Sequence, residues 1–393
     1  MNLSAKYLCL NDFEEAAQQL LPKAIFGYVQ GACGEYITLR DNRAVFEEFL
    51  FRPRVLVNVT KRDQSVELFG TSHSSPFGIA PMGICALTGY RGDIVLASAA
   101  HKANIPFVLS SSSLIRLEDV AEATPNGWFQ LYVPRHEQAI DALVDRVARA
   151  GFNVLVVTVD TPTIPIREDN LRNGFRTPLQ LTLQQVWDGI THPRWLLGTF
   201  LKTLVRHGIP RFENNQAGPG TSLIARNVAR DFSGREHLDW EIMKRLRKRW
   251  KGPLILKGIL HPDDAKKSGE IGADGIIVSN HGGRQLDGAP SPMRVLGQIL
   301  ESAGPQTVMV DSGFRRGADI LKALALGARF VFVGRPFNYA CAVAGEAGVT
   351  HAIALLKNEI HANMALLGIN NLAELHASFV LQRNTAISEQ VAS

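Results

Sequence analysis

Eight short apolar runs recur along the chain, and segments with helical periodicity separate most of them. Each run is rich in Val, Ile, Leu or Phe and lacks the regular alternation of polar and apolar positions that a half-exposed strand shows. The pattern therefore predicts eight parallel strands that are buried on both faces. These runs are residues 77–80, 106–109, 128–133, 154–159, 254–257, 275–278, 308–310 and 330–333.

The segments between these runs have the spacing expected of crossover helices. Strands that alternate with helices are typical of the α/β class, and eight such units predict a TIM-type (β/α)8 barrel. A chain of 393 residues can hold one such barrel with added segments, so we expect a single domain over residues 1–393. The predicted helices are residues 93–103, 136–150, 239–250, 262–271, 292–303 and 317–326.

Three segments lie outside the eight units. Residues 11–50 have a helical pattern and precede the barrel, residues 172–238 form a long insertion after the fourth strand, and residues 371–393 form a C-terminal tail. A connection as long as the insertion is usually functional or disordered. Its stretch 214–220, which is rich in Asn and Gly, predicts a mobile linker.

The insertion combines apolar and cationic residues. Trp187, Trp195 and several leucines accompany Arg194, Lys202 and Arg206. This mixture is typical of a segment that lies in a membrane interface. A lid helix that packs its apolar side on the barrel or on a sister subunit needs the same amphipathic stripe. The residues alone leave both interpretations open.

Composition excludes several classes of protein. The chain is 46% hydrophobic and 20% charged with a net charge of +5, which is ordinary for a soluble globular protein. It has no Lys/Arg-rich run with interleaved aromatic residues, so we expect no nucleic-acid partner. The four cysteines lack the spacing of metal ligands, which predicts no metal site. We expect no signal peptide and no transmembrane helix, since no run reaches about 20 apolar residues.

The segment 279–288, Ser-Asn-His-Gly-Gly-Arg-Gln-Leu-Asp-Gly, follows the predicted strand 275–278. His281 and Arg284 therefore stand three residues apart at the C-terminal end of a strand, with two glycines between them. A base beside a fixed cation suits the transfer of a proton on a molecule that is held by its carboxylate. A glycine-rich turn with a solvated arginine is the alternative explanation of the same motif.

Polar side chains and glycines follow the other predicted strands as well. Active sites of this fold lie at the C-terminal face of the barrel, so we expect these residues to meet there. The alternative for each hydroxyl residue alone is a bond to local backbone. The candidates are Pro81, Met82, Gly83, Ser110, Gln130, Tyr132, Thr158, Asp160, Lys257, Ser279 and Asp311.

The loops after the last two strands have the features of a phosphate site. Gly313 and Arg315 precede the predicted helix 317–326, and Gly334 and Arg335 follow the eighth strand. In this barrel fold, glycine backbone and a helix N-terminus after strands seven and eight commonly bind phosphate. Ordinary turns with surface arginines are the alternative interpretation.

Taken together, the motifs resemble those of the FMN-dependent 2-hydroxy acid dehydrogenase and oxidase family, which includes L-lactate dehydrogenase, (S)-mandelate dehydrogenase and glycolate oxidase. The resemblance extends from about residue 11 to residue 370, over all eight units. It rests on 279–288 and on Phe-Gln-Leu-Tyr at 129–132, Thr-Val-Asp-Thr-Pro at 158–162, Leu-Lys-Gly at 256–258 and Asp-Ser-Gly-Phe-Arg-Arg-Gly at 311–317, with Leu21-Pro22-Lys23, Tyr28 and Arg167.

The resemblance implies a role for each candidate. His281 would be the catalytic base with Asp160 as the partner of its imidazole, and Arg284 and Arg167 would bind the substrate carboxylate. Tyr132 and Tyr28 would bond the substrate oxygens, and Lys257 would stabilise negative charge on the reduced flavin. The residues that would hold FMN are Pro81, Met82, Gly83, Ser110, Gln130, Thr158, Ser279, Asp311, Gly313, Arg315, Gly334 and Arg335.

The implied activity is the FMN-dependent oxidation of an (S)-2-hydroxy acid of the lactate or mandelate type to the 2-oxo acid. The resemblance does not decide whether His281 removes the hydroxyl proton or the α-proton. Gly83 stands where oxidases of the family carry Ala, which favours a dehydrogenase, and Ser112 stands where some oxidases carry an aromatic residue, which leaves room for a larger substrate.

The resemblance also implies partners and a location. The insertion is similar to the membrane-binding segment of bacterial members, so we expect a peripheral protein on the cytoplasmic side of the inner membrane that passes electrons to a quinone. Family members are usually homotetramers. The alternatives are an oxygen-reducing oxidase that releases hydrogen peroxide, an FMN isomerase, and a non-catalytic relative. The last two have no use for His281, Arg284 and Arg167 together.

Overall fold

Eight parallel strands form the centre of the molecule. The structure is a computed structural model that describes residues 3–165, 167–175, 182–218, 220–225 and 235–383. From the second strand onward each strand pairs with the next along the chain, and the eighth strand pairs with the first. A bridge between Ile79 and Phe107 joins the first strand to the second unit, so the sheet closes into a barrel. The strands are β1 (Phe77–Ile79), β2 (Val108–Ser110), β3 (Trp128–Leu131), β4 (Val154–Thr158), β5 (Leu254–Ile259), β6 (Gly275–Val278), β7 (Thr307–Val310) and β8 (Phe330–Val333).

Both faces of the strands are buried, which explains the continuous apolar runs. In β4, Val154 and Val156 pack inside the barrel, whereas Leu155 and Val157 belong to the layer that faces the helices. All four are 3% exposed or less. A parallel strand that is covered on both sides has no position for a polar residue except at its ends. The predicted α/β barrel and its eight strands are confirmed.

Helices cover the outside of the barrel. The six predicted helices are present, and their ends agree with the prediction to within one residue. Three further helices are Cys85–Thr88 after β1, Leu117–Ala123 after β2 and Arg335–Leu367 after β8. A helix after the eighth strand was expected without bounds, and the other two were not predicted. The predicted six are Gly92–Lys102, Glu137–Arg149, Trp240–Arg249, Pro262–Glu270, Pro292–Ser302 and Gly317–Ala325.

The helix Arg335–Leu367 is the one described helix that is long and apolar enough to cross a membrane by length and composition. Half of its most apolar window is buried inside the protein, and its backbone leaves the helical conformation at Ala344 and Gly345. The same test is passed by core helices of soluble proteins. Packing against the barrel is therefore sufficient to account for its apolar residues.

The N-terminal segment begins with four helices, Leu3–Lys6, Leu10–Leu20, Lys23–Gln30 and Ile37–Ala44, and a 3-10 turn at Val45–Glu48. Strand Phe49–Phe51 then pairs antiparallel with Val380–Gln382, so the C-terminal segment up to residue 382 is held against the N-terminal one. The hairpin formed by Val66–Leu68 and Thr71–His73 closes the N-terminal end of the barrel, where Val66 and Leu68 belong to the same buried cluster as Trp128.

The helix Glu168–Arg172 leads into the insertion. The insertion contains the helices Leu183–Thr191, Pro193–Trp195 and Lys202–His207, a π-helical turn at Leu196–Leu201, and a small hairpin of Arg211–Phe212 with Thr221–Ser222. The prediction of a mobile linker at 214–220 is wrong for its first residues. Asn214 is fully buried and bonds the backbone of Ile115 and Leu117, and Arg146 donates to the carbonyl oxygen of Gln216.

Candidate active site

The C-terminal ends of the eight strands surround one cleft with about 1010 Å³ of empty space, including its open mouth. The N-terminal segment contributes Tyr28 and Val29 to its wall. The predicted site residues line this cleft except for Asp160 and Ser279, each of which bonds a residue that does. The lining includes Tyr28, Pro81, Met82, Gly83, Ser110, Gln130, Tyr132, Thr158, Arg167, Lys257, His281, Arg284, Asp311, Gly313, Arg315, Gly334 and Arg335.

His281 lies between Asp160 and Tyr132. Its Nδ1 is 3.0 Å from Asp160 Oδ1 and 3.2 Å from Oδ2, and its Nε2 is 3.4 Å from the hydroxyl of Tyr132. A carboxylate at Nδ1 fixes the ring and selects the tautomer with the proton on that nitrogen. The Nε2 lone pair is then directed toward the cleft wall that Tyr132 forms.

The backbone at His281 has an uncommon conformation. His281, Gly282 and Gly283 have φ angles of 59°, 68° and 76°, so three consecutive residues are left-handed. Such a conformation is costly for a residue with a Cβ, about 1–3 kcal/mol, and is retained where the surroundings hold it. Here the hydroxyl of Ser279 accepts from the His281 N–H at 3.0 Å, and the hydroxyl of Ser312 accepts from Gly282 at 3.0 Å.

The charges around His281 set its protonation state. Burial lowers the pKa of His281, with help from Lys257 and Arg167, and this outweighs the opposite effect of Asp160. Burial alone would raise the pKa of Asp160, but His281 and Lys257 more than compensate, so its pKa is lowered. At neutral pH the pair therefore consists of a neutral imidazole and an ionised carboxylate, which is the form that can accept a proton.

Lys257 in the C-terminal half of β5 is buried, with only 5% of its surface exposed. Its Nζ lies 3.0 Å from Asp311 Oδ2 and donates to Ser279 Oγ at 2.8 Å. Burial opposes its charge, but Asp311 and Asp160 outweigh this effect, so the pKa of Lys257 is raised. The cleft therefore holds a fixed ammonium group at the centre of the barrel mouth.

Three arginines form the opposite side of the cleft. Arg284 Nη1 donates to the carbonyl oxygens of Tyr28 and Gly31, at 2.8 and 2.6 Å, and Arg335 Nε donates to that of Val29 at 2.9 Å. These carbonyls end the helix Lys23–Gln30 and have no partner within it. The arginines therefore fasten the N-terminal segment to the barrel.

Arg167 enters the same side from the loop after β4. Its guanidinium donates to the carbonyl oxygen of Arg284, at 3.0 Å from Nε and 2.6 Å from Nη2. The two predicted carboxylate-binding residues are thus adjacent. Two guanidinium groups beside a neutral base form a pocket suited to a small carboxylic acid.

Gln130 provides a test of the expected cofactor. Its side chain is 1% exposed, its Oε1 accepts from Ser110 Oγ at 2.9 Å, and its Nε2 has no partner among the described residues. An unpaired buried amide costs about 1–3 kcal/mol, so it requires an acceptor in the cleft. The carbonyl oxygens of a flavin ring are such acceptors, and the residues present therefore fit FMN.

The two predicted phosphate-binding loops differ in their backbone. Asp319 Oδ2 accepts from the N–H groups of Arg315 and Arg316, at 2.9 and 3.1 Å, and Glu359 accepts from Gly317 at 2.6 Å. The helix N-terminus after β7 is thus occupied by carboxylates, which the sequence pattern did not indicate. The helix after β8 begins at Arg335, and its N-cap Gly334 lines the cleft. This helix end, with the half-buried Arg315 and Arg335, is therefore the better candidate of the two for binding an anion.

Sequence reasoning missed residues that support the site without lining it. Gly258 has a φ of 109°, and a Cβ at this position would lie 2.6 Å from Asp160 Cβ. Gln285 donates to the carbonyl oxygen of Asp160 at 2.9 Å and accepts from Arg167 at 3.1 Å. Both belong to the quoted motifs, but their contacts cross between loops, and a single sequence gives no signal for such pairs.

Known proteins match this chain over almost its whole length. The sequence model of the family described as FMN-dependent dehydrogenase matches residues 17–382. The chain is 38% identical to (S)-mandelate dehydrogenase of Pseudomonas putida over 379 residues, 96% of this chain and 95% of that protein. It is also 38% identical to L-lactate dehydrogenase of Ectopseudomonas mendocina over 375 residues, 94% of this chain and 98% of that protein.

A solved structure agrees with these matches. The crystal structure of the monotopic membrane protein (S)-mandelate dehydrogenase superimposes with a TM-score of 0.89 at 38% identity, and covers 96% of this chain and 99% of that one. The family matched is the one that the motifs predicted, and its cofactor is the one that the cleft fits. The chain belongs to the FMN-dependent dehydrogenase family and is an FMN-dependent oxidoreductase.

Proposed function

We propose that this enzyme oxidises an (S)-2-hydroxy acid with an aromatic or small aliphatic side chain to the 2-oxo acid. The observation that carries the proposal is the arrangement of His281, whose Nε2 faces the cleft beside Tyr132 and across from Arg167 and Arg284. Mandelate and lactate, the substrates in the names of the relatives, both have a carboxylate next to a carbon that bears a hydroxyl group.

Each residue of the site has a separate role in the proposed reaction. Arg284 and Arg167 bind the carboxylate, and Tyr28 and Tyr132 bond the substrate oxygens. His281 accepts a proton from the substrate, and Asp160 stabilises the imidazolium that results. Oxidation breaks the O–H and Cα–H bonds and forms the second C–O bond of the oxo group, with the loss of two electrons and two protons. When bound, FMN would supply the acceptor for the two electrons, since no side chain can take them.

Other residues hold the cofactor in this proposal. Ser110, Gln130, Thr158, Ser279 and the segment Pro81–Met82–Gly83 would contact the ring, and Lys257 would supply a positive charge that stabilises the reduced form. Asp311, Gly313, Arg315, Gly334 and Arg335 would hold the ribityl chain and the phosphate. Each of these residues lines the cleft or bonds a residue that does, which supports the assignment.

Small residues favour a substrate with a bulky side chain. A Cβ at Gly83 would lie 3.0 Å from the Cβ of Ser112 and 3.6 Å from the hydroxyl of Tyr28, so the three residues meet at one point of the wall. The ring of Tyr28 stacks on Phe175, with centroids 4.4 Å apart. The cleft wall at this point thus combines two small residues, Gly83 and Ser112, with the aromatic ring of Tyr28. Such a wall suits an aryl substituent by size and chemistry.

The insertion supports contact with a membrane. Along the helix Leu183–Thr191, Leu183, Val186, Trp187 and Ile190 lie on one face, and their exposed fractions are 91%, 45%, 67% and 52%. Apolar residues at such spacing with nearby cations suit an interfacial helix. A related mandelate dehydrogenase is described as a monotopic membrane protein. We therefore assign electron transfer to a membrane quinone, from the cytoplasmic side of the inner membrane.

An anaerobic titration tests the chemistry. The visible spectrum of the purified holoenzyme is recorded before and after addition of (S)-mandelate, (S)-lactate and their R isomers. Bleaching of the oxidised flavin by an S isomer, and no bleaching by its R isomer, is the expected result. A flavin that stays oxidised with all four acids would contradict the proposal.

A second experiment distinguishes the electron acceptors. The reduced enzyme is mixed either with air-saturated buffer or, under argon, with lipid vesicles that contain a quinone. We expect fast reoxidation with the quinone and slow reoxidation with oxygen. Fast oxygen consumption with release of hydrogen peroxide would instead identify an oxidase.

A further inference from the structure

Arg235 is a buried arginine that the site described above does not use. It lies at the C-terminal end of the insertion, and 5% of its surface is exposed. Its guanidinium carbon is 4.3 Å from the centroid of the Tyr132 ring, and its Nη1 donates to Thr161 Oγ1 at 3.3 Å. Thr161 is itself 1% exposed and follows Asp160 directly in the chain.

These contacts place Arg235 between two parts of the catalytic group. On one side it covers the ring face of Tyr132, whose hydroxyl is 3.4 Å from His281 Nε2. On the other side it bonds the loop that carries Asp160, the partner of His281 Nδ1. Arg235 is not among the residues that line the cleft, so it reaches the reaction through Tyr132 and not by direct contact with substrate.

A cation over a phenol ring has two physical effects. It is attracted to the negative ring face, most strongly where both groups are shielded from water, and this attraction fixes the orientation of the ring. Its charge also stabilises electron density on the phenol oxygen, which makes the hydroxyl a stronger hydrogen-bond donor. Burial raises the pKa of Tyr132, and the charge of Arg235 is the largest influence that acts against this rise.

We propose that Arg235 is the positioning residue of Tyr132, which it holds beside His281 and makes a stronger donor to the substrate oxygen as that oxygen becomes negative. The proposal rests on the function proposed above, since it assigns Tyr132 to the substrate oxygens. It also gives the insertion a part in the chemistry, because Arg235 comes from the insertion and not from the barrel.

A double-mutant cycle tests the proposal through the anaerobic rate of flavin reduction at saturating substrate. Arg235→Gln is expected to slow reduction about tenfold with little change in KM, as loss of a shielded cation–π contact allows. Arg235→Lys keeps the charge and is expected to lose less. In a Tyr132→Phe background, Arg235→Gln should slow reduction by less than about twofold. Lys248→Gln, which removes one exposed positive charge, is the matched control.

An equal tenfold loss in the Tyr132→Phe background would overturn the proposal, because Arg235 would then act without the Tyr132 hydroxyl. Flavin content and the thermal midpoint are measured for every variant, so that a loss through unfolding is recognised. The comparison of Arg235→Lys with Arg235→Gln serves the same purpose, since a purely steric role would not depend on charge.

A readout without substrate separates this proposal from the proposed function. Tyr132 is replaced by a polyfluorinated tyrosine, whose phenol ionises near neutral pH, and its ionisation is followed by fluorine NMR. Arg235→Gln should move the midpoint about half a pH unit or more upward, as loss of a nearby positive charge requires, and Lys248→Gln should not. An unchanged midpoint would overturn the role of Arg235 even in an active enzyme. A shifted midpoint in an enzyme that no 2-hydroxy acid reduces would instead reject the proposed function.

Discussion

The barrel and the insertion contain the same apolar residue types, but the barrel buries these side chains and the insertion leaves several of them exposed. Leu155 of β4 and Ile277 of β6 are fully buried, whereas Leu183, Trp187 and Val205 of the insertion are 91%, 67% and 85% exposed. Burial of such a side chain stabilises a protein by about 1.5–3 kcal/mol. The barrel gains this free energy within the chain, and the insertion can gain it only from another surface.

The two ends of the insertion do not share this exposure. Near its start, Phe175 is buried and stacks on Tyr28, and at its end Arg235 covers Tyr132. In its middle, the indole nitrogen of Trp195 donates to the carbonyl oxygen of Leu87 at 2.7 Å. The insertion is thus anchored to the active site at both ends. An apolar face that is anchored but exposed is typical of a docking element, not of a loop that is poorly folded.

The largest effect is expected in the barrel. His281→Gln keeps a side chain of similar length but removes the base, and we expect flavin reduction by the 2-hydroxy acid to slow by about 10²–10⁴-fold, the usual contribution of general base catalysis. Stopped-flow spectroscopy under argon measures this rate. Flavin content should be unchanged, since Gly282 and Gly283 still supply the turn. Reduction at the wild-type rate would remove His281 from the mechanism.

The pH dependence of the same reaction should come from the barrel as well. The pKa of His281 lies below its usual 6.5, and the protonated imidazole cannot accept a proton. The value of kcat/KM should therefore be constant above pH 6.5 and should fall on the acid side, by about tenfold per unit once the pH is below that pKa. In Asp160→Asn the acid limb should move to lower pH, since Asp160 raises this pKa. A limb that moves to higher pH would contradict the assignment.

In the insertion, substitutions should change location and leave the chemistry intact. The triple variant Leu183→Ser, Trp187→Ser, Ile190→Ser removes apolar area from one helix face, and we expect binding to anionic lipid vesicles to weaken by about tenfold or more. Co-sedimentation with vesicles measures binding, and a soluble dye as electron acceptor measures activity, which should be preserved. Gln184→Ser on the same helix is the control. If sedimentation is unchanged, the exposed face would bind a sister subunit or another protein and not a membrane.

The same contrast explains how much the sequence could predict. The barrel strands were predictable because burial on both faces leaves uninterrupted apolar runs, such as 275–278. The site residues were predictable as a set because parallel strands all end at one rim. The sequence could not predict that Asp319 and Glu359 occupy the helix N-terminus after β7. Nor could it predict the contact of Arg235 with Tyr132, because these residues are about a hundred positions apart and neither position restricts the other in sequence.

The insertion illustrates a second limit. Its apolar stripe predicted an amphipathic helix but not which surface would cover it, since a lid and a membrane helix need the same pattern. The stretch 214–220 was interpreted as a mobile linker from its composition. Asn214 is nevertheless buried, and its side chain forms hydrogen bonds with the backbone of Ile115 and Leu117. Composition shows which hydrogen bonds a side chain can make, but only the folded structure shows whether a partner lies within reach.

The smallest expected effect concerns the stability of the protein at acid pH, which should depend on a histidine at one end of the barrel. His73 at the closed end of the barrel is 7% exposed, and neither of its ring nitrogens has a partner among the described residues. Burial lowers its pKa below the usual 6.5 of the unfolded chain. Protonation then favours the unfolded state, so the stability that neutral His73 permits is complete above pH 6.5 and declines as the pH falls toward the folded pKa.

His73→Leu should raise the free energy of unfolding by about 1 kcal/mol at pH 7.5, because two unpaired nitrogens leave the interior. The gain should be larger at pH 5.5, since the acid decline due to His73 disappears. Urea unfolding of the holoenzyme at both pH values measures the difference, with His101→Leu on the surface as the control for loss of a histidine. An equal gain at both pH values would show that the pKa of His73 is the same in the folded and unfolded states. The acid sensitivity would then have to come from other groups, with the His281 and Asp160 pair the first to test.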